Sequence, residues 1–204
     1  MNNLAHNTPT NDLHNALAVI FSSSARVDVL CAFMLDPTRA YYQRQLEAAT
    51  GLPIRAIQRE LERLDSVGLL YRRKEGNRTY FQVDQDFPLF PDLRSMVMKA
   101  AQPGERFRGL LALDEGARLA FLDVEQTQAL VVEVPGKRCT TPPPEGIAAQ
   151  HWSSEQFIQA LGAGDTALEP FLNTGTDILG RRDDVIWRHI EAAGYNVSKG
   201  DGVP

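Results

Sequence analysis

Residues 41–80 leave this chain few ways to fold. Residues 42–49 (YQRQLEAA) are helix formers and run into Thr50-Gly51-Leu52-Pro53. Gly51 can supply a positive φ there and Pro53 has the fixed φ of a helix opening, so one helix ends and the next begins within a tight turn. In the second segment Ile54, Ile57, Leu61 and Leu64 recur at helical spacing as one apolar stripe, while Arg55, Gln58, Arg59, Glu62 and Arg63 lie off it. One face is predicted to bury and the other to meet a partner. Gly68 stops this helix, and residues 69–73 and 78–83 then read as strands flanking Lys74-Glu75-Gly76-Asn77.

Helix, turn, helix and basic hairpin in that order predict a winged helix-turn-helix. Arg and Gln are the side chains that make bidentate contacts to guanine and adenine edges in the major groove. Arg55, Gln58 and Arg59 are therefore the expected base readers, with Pro53 at the head of their helix. Arg63 and Arg44 are expected on phosphates, and Arg73, Lys74, Asn77 and Arg78 in the wing contact. Residues 39–80 hold nine Lys or Arg against five Asp or Glu, a balance of +4 in a chain whose formal net charge is −5. One basic face on an acidic protein is the footprint of a selective binder of double-stranded DNA. The plainer alternative is a solvated helix face.

Ala25-Arg26-Val27-Asp28-Val29-Leu30, Tyr42-Gln43-Arg44-Gln45-Leu46, Thr50-Gly51-Leu52-Pro53, Gln58-Arg59-Glu60-Leu61-Glu62-Arg63-Leu64, Gly68-Leu69-Leu70 and Gly76-Asn77-Arg78-Thr79-Tyr80 resemble ArsR-type winged-helix regulators. Pro88-Leu89-Phe90-Pro91-Asp92-Leu93-Arg94 is similar to the segment after the wing in a prokaryotic subgroup of them. The likeness spans about the first half of the chain and implies a transcriptional regulator, most simply a repressor. It also implies that helices at residues 13–21 and 93–101 pack against a second copy, giving a homodimer on a palindromic operator. The alternative is that both helices cap the core of one monomer.

No run of about 18 apolar residues occurs and the first fifteen residues are polar, so neither a membrane span nor a leader is expected. A soluble, cytoplasmic protein is the resulting expectation. Cys31 and Cys139 are the only cysteines; Cys31 lies in the apolar segment Val27, Leu30, Met34 and is expected in a core. Lys137-Arg138 beside Cys139 read as plain surface charge, so no thiol switch is expected. His6, His14, His151 and His189 are scattered, without ligand spacing, and no metal ion or other cofactor is expected.

The whole chain is predicted to be α+β, with a first domain at residues 1–101 and a second at 102–204, divided near Gln102-Pro103-Gly104. In the second, residues 110–113 and 119–122 are short apolar runs, and residues 129–134 read as a buried strand. Pro142-Pro143-Pro144 is an extended connector. Helices are predicted at about residues 153–161, capped by Ser153 or Ser154 with Gln156, and 183–193. This small α/β unit ends in Trp152-Ser153-Ser154-Glu155-Gln156-Phe157, Gly164-Asp165 and Asp177-Ile178-Leu179-Gly180, which resemble the tail of minimal nucleotidyltransferase domains.

That chemistry needs a Gly-Ser turn for phosphates and an Asp-x-Asp pair for two divalent cations. Residues 104–134 contain no Gly-Ser, and Asp123-Val124-Glu125 is the nearest approach to the pair. A degenerate domain without catalytic residues is expected, serving as the place where a small-molecule or protein effector acts. Ser22-Ser23-Ser24-Ala25-Arg26 lacks the glycine of a phosphate turn and is predicted to cap a helix. Two other functions fit the residues less well: a nucleotidyltransferase with Asp123 and Glu125 as metal ligands, and an antitoxin-like interaction module that uses the winged helix as a scaffold.

Overall fold

The computed structural model describes residues 10–182, 184–200 and 203, so His6 and the predicted helix start at Asp183 lie outside it. The protein is mixed α+β, and its chain divides into two units. Residues up to Met34 together with Arg39–Gln102 form the first, and Leu35–Thr38 with the chain from Pro103 form the second.

The first unit begins with α1 (Thr10–Ile20) and α2 (Ser24–Leu35). Ser23 Oγ accepts the Arg26 N–H at 3.2 Å, so the serine run does cap a helix. β1 (Tyr41–Tyr42), α3 (Gln43–Thr50), α4 (Ile54–Ser66), β2 (Leu70–Glu75), β3 (Arg78–Val83) and α5 (Phe90–Ala100) follow. Leu17 of α1, Val27 of α2 and Ala100 of α5 share a small core, with Cys31 only half-buried at its side.

Gly51 closes α3 with φ +67°, its N–H bonded to the Glu47 carbonyl at 2.9 Å. Pro53 caps α4 from one position earlier than predicted, its carbonyl accepting from Ala56 and Ile57. The buried stripe of α4 is Ile57, Glu60, Leu61 and Leu64, whereas Ile54 is half-buried. This corrects the predicted stripe and places a carboxylate in it. The hairpin is also tighter than predicted, because Lys74 pairs with Thr79 and Glu75 with Arg78, leaving Gly76-Asn77 as the turn. Gly76, at φ +59°, occupies the position where a type II′ turn requires glycine. β1 pairs with β3, Tyr42 opposite Tyr80, which fastens the start of α3 to the hairpin.

In the second unit, α6 (Pro103–Leu111), β4 (Ala117–Leu122), β5 (Gln128–Glu133), β6 (Ala148–Ser153), α7 (Ser154–Ala163), α8 (Glu169–Leu172), β7 (Thr176–Asp177), α9 (Val185–Ala192) and β8 (Ser198–Lys199) succeed one another. The five-stranded sheet runs β6-β5-β4-β7-β8, with β5 and β6 parallel and β4 and β5 antiparallel. Alternate residues of the two central strands feed two cores. Leu119, Phe121, Leu130 and Val132 pack with Phe157, Phe171 and Trp187, while Ala120, Leu122, Ala129 and Val131 pack with Phe107 and Leu111. Burial on both faces explains why β4 and β5 read as unbroken apolar runs. Ser153 and Gln156 form a reciprocal capping box on α7, and Asp184 caps α9 through the Ile186 N–H.

Candidate nucleic-acid interface

Because the apolar stripe of α4 turns inward, Arg55, Gln58, Arg59 and Arg63 are left exposed on its outer side. The hairpin projects beyond the core, so residues 71–78 are all exposed, Arg73, Lys74, Asn77 and Arg78 among them. The pairing of β1 with β3 brings the start of α3 against the turn. Between them lies a cleft of about 470 Å³ lined by Tyr42, Gln43, Arg44, Asn77, Arg78 and Thr79.

Two arginines and two side-chain amides, those of Gln43 and Asn77, therefore share one concavity, a donor set suited to phosphate oxygens. The Arg78 guanidinium lies over the Tyr42 ring, 4.7 Å from its centroid, and Tyr42 meets Tyr80 edge-on at 5.6 Å. Such an exposed cation–π contact is weak, but it biases where the side chain points. Gln58 Nε2 donates to Gln43 Oε1 at 3.2 Å, linking the outer face of α4 to the rim of the cleft. The cleft and the helix face thus adjoin.

Two of the arginines are less available than the sequence suggested. Arg63 Nη1 donates to Glu60 Oε1 at 2.8 Å, and Arg59 Nε lies 3.7 Å from the same oxygen. Arg26 Nε takes the other oxygen, Oε2, at 2.9 Å. Arg73 pairs with Glu75 at 2.9 Å, but both side chains are more than half exposed, and pairs of that kind yield readily to a phosphate.

Sequence reasoning missed Glu60, Arg26 and Tyr42. Glu60 had a signal, since positions 57, 60, 61 and 64 form a better helical stripe than 54, 57, 61 and 64. Arg26 had none, because its partner is 34 residues away.

No family model, curated protein or solved structure matches the chain. Its chemistry has to be read from the residues themselves. In the second unit, the two carboxylate oxygens of Asp123 serve the β4–β5 turn: Oδ1 accepts the Thr127 and Gln128 N–H groups, each at 2.8 Å, and Oδ2 accepts the Thr127 hydroxyl at 3.2 Å. Glu125 is exposed in the same turn. These bonds give Asp123 a structural role where the enzyme reading needs a metal ligand.

Among the described residues, no group of three or more His, Cys, Asp or Glu side chains could hold a metal ion, and no single helix is long and apolar enough to cross a membrane. Cys139 donates its thiol to Asp114 Oδ2 at 3.4 Å. Burial first, with the neighbouring Asp114 and Glu133 charges adding to it, pushes that thiol up to about 11 against an opposing backbone bond from Thr141. The reactive thiolate is correspondingly disfavoured.

Proposed function

We propose that the first unit is a winged helix-turn-helix and that the protein is a sequence-specific, DNA-binding transcriptional regulator of the cytoplasm. It acts as a repressor, a homodimer on a palindromic operator. The observation that carries this reading is the union of an arginine- and glutamine-bearing helix face with an adjoining cationic cleft, joined through Gln58 and Gln43. Arg55, Gln58 and Arg59 read base edges from α4, while Arg44, Asn77 and Arg78 take a phosphate in the cleft. Arg73 and Lys74 extend the phosphate contact along the hairpin. The helices α1 and α5 meet the second copy, and the second unit receives a small-molecule or protein effector.

Incubating the purified protein with sheared genomic DNA and sequencing what it retains tests the reading. Enrichment of a few fragments sharing an inverted repeat is expected, with a centre-to-centre spacing near one helical turn. Uniform recovery of fragments would contradict it.

A further inference from the structure

We propose that Glu60 is a positioning residue for DNA readout, holding the guanidinium groups of Arg63 and Arg59 on the outer face of α4 and restraining their indiscriminate attraction to DNA. The inference rests on the reading of α4 as the DNA-facing helix.

Glutamate is almost never fully buried unless it is paired. Glu60 is fully buried in the core-facing stripe of α4, and it faces Arg26 of α2 as well as Arg59 and Arg63 of its own helix. The two oxygens divide these partners. Oε2 is anchored inward by Arg26, whose Nη1 also donates to the Phe21 carbonyl at 2.9 Å. Oε1 is given to Arg63 and Arg59, whose side chains are 52% and 60% exposed.

Satisfying a part-buried Arg26 explains one oxygen and the burial. The second oxygen, buried with the first, needs partners too, and it takes them from the solvent-facing side of α4, which ties the guanidinium groups of Arg63 and Arg59 to a fixed point. An arginine tethered to a fixed carboxylate has already surrendered rotamer freedom that an untethered one gives up on binding, so its donors meet the groove pre-arranged. The carboxylate also cancels one of the cluster's positive charges. That lowers the sequence-independent attraction to phosphates while leaving directional contacts intact. Glu60 thereby raises selectivity in two ways without touching DNA.

The test uses the full chain, a random-sequence duplex pool carried through rounds of selection, and anisotropy on one recovered duplex and one unrelated duplex across a salt series. Glu60→Gln keeps the side-chain volume and removes the charge. It is expected to bind the unrelated duplex more tightly, with the salt slope steeper by about one. Its preference for the recovered duplex is expected to fall about tenfold, the scale of one loosened base contact. Arg26→Gln is the second variant: it keeps the carboxylate charge but removes the inward anchor, and should lower preference by about threefold, a weaker form of the same loosening, without steepening the slope.

If Glu60→Gln does not fold, Arg26→Gln decides the matter, and a wild-type preference there overturns the proposal. A folded Glu60→Gln with the wild-type preference and slope overturns it as well, leaving the cluster a role in stability that thermal melting alone would register. A wild-type protein that shows no preference for any duplex would instead overturn the DNA reading on which the proposal rests.

Discussion

The two units put their most heavily engaged carboxylates to opposite uses. Glu60 in the first is surrounded by guanidinium groups, and its effect is felt at the surface, where two of those groups remain about half exposed. Asp114 in the second accepts main-chain N–H groups of Gly116, Thr140 and Thr141 at 2.8–2.9 Å and the Thr141 hydroxyl at 2.7 Å, fastening the turn before β4 to the segment after β5. Asp177 does likewise for Leu179 and Gly180. Glu60 meets guanidinium groups, two of them on the solvent side; Asp114 and Asp177 are engaged chiefly by backbone N–H groups, with Arg182 added to Asp177 at 3.4 Å. The second unit thus turns these carboxylates to its own architecture, whereas Glu60 reaches exposed arginines of α4.

The largest effect that would sharpen this contrast comes from the architecture of the second unit. Phe121 stacks with both Phe157 and Trp187, each with its ring centroid 6.1 Å away. Phe121→Ala should cost about 3–5 kcal/mol of stability in urea unfolding, the range for a large buried ring, and a loss below about 1 kcal/mol would show that this cluster is not the core.

Asp114→Asn comes next, at about 2 kcal/mol, since several bonds to a charged acceptor are weakened together. Burial by itself would raise the Asp114 carboxyl, but bonds from Thr141, Gly116, Thr140 and Cys139 outweigh it and hold the group well below the usual carboxylate range. A carboxyl lowered on folding adds stability that is complete above its unfolded value, near pH 4, and is lost as pH falls toward the folded one. The wild-type protein should accordingly lose stability below about pH 4, with Asp114→Asn showing a shallower acid slope. Equal slopes would contradict the role given to Asp114.

In the first unit, Arg59→Ala should cost about 1–3 kcal/mol of discrimination at one base-pair position, whereas Lys74→Ala should weaken all duplexes alike and lower the salt slope by about one. Identical behaviour of the two across a panel of base substitutions would break the division between reading and gripping. The smallest effect belongs to Glu75→Gln. Loss of an exposed pair worth at most about 1 kcal/mol should tighten DNA binding by less than about fivefold, seen by anisotropy. A weakening would mean that Glu75 orients Arg73 for DNA instead of competing for it.

Local rules carried much of the fold. The Gly51-Pro53 turn, the Ser23 cap, the reciprocal Ser153 and Gln156 cap and the buried β5 strand could all be read from short stretches, because each depends on residues within a few positions of one another. β6 was not legible: it is an edge strand whose Ala148-Ala149-Gln150-His151 shows no clear alternation, and its pairing with β5 is a tertiary fact. β7 and β8, at two residues each, are too short for any period to register. For the candidate site, exposure of the arginines followed from the stripe on α4, but their pairing did not. The Glu60 cluster joins α2 to α4, and the cleft exists only because β1 pairs with β3. Both depend on contacts distant in sequence, where periodicity carries no information.

The most direct test of the central claim is fluorescence anisotropy of the full chain on a duplex recovered by selection and on a scrambled duplex of the same composition, across a salt series. A preference of about 10³-fold or more for the recovered duplex is expected at physiological salt, with affinity falling steeply as salt rises. Equal affinity for the two duplexes would contradict it.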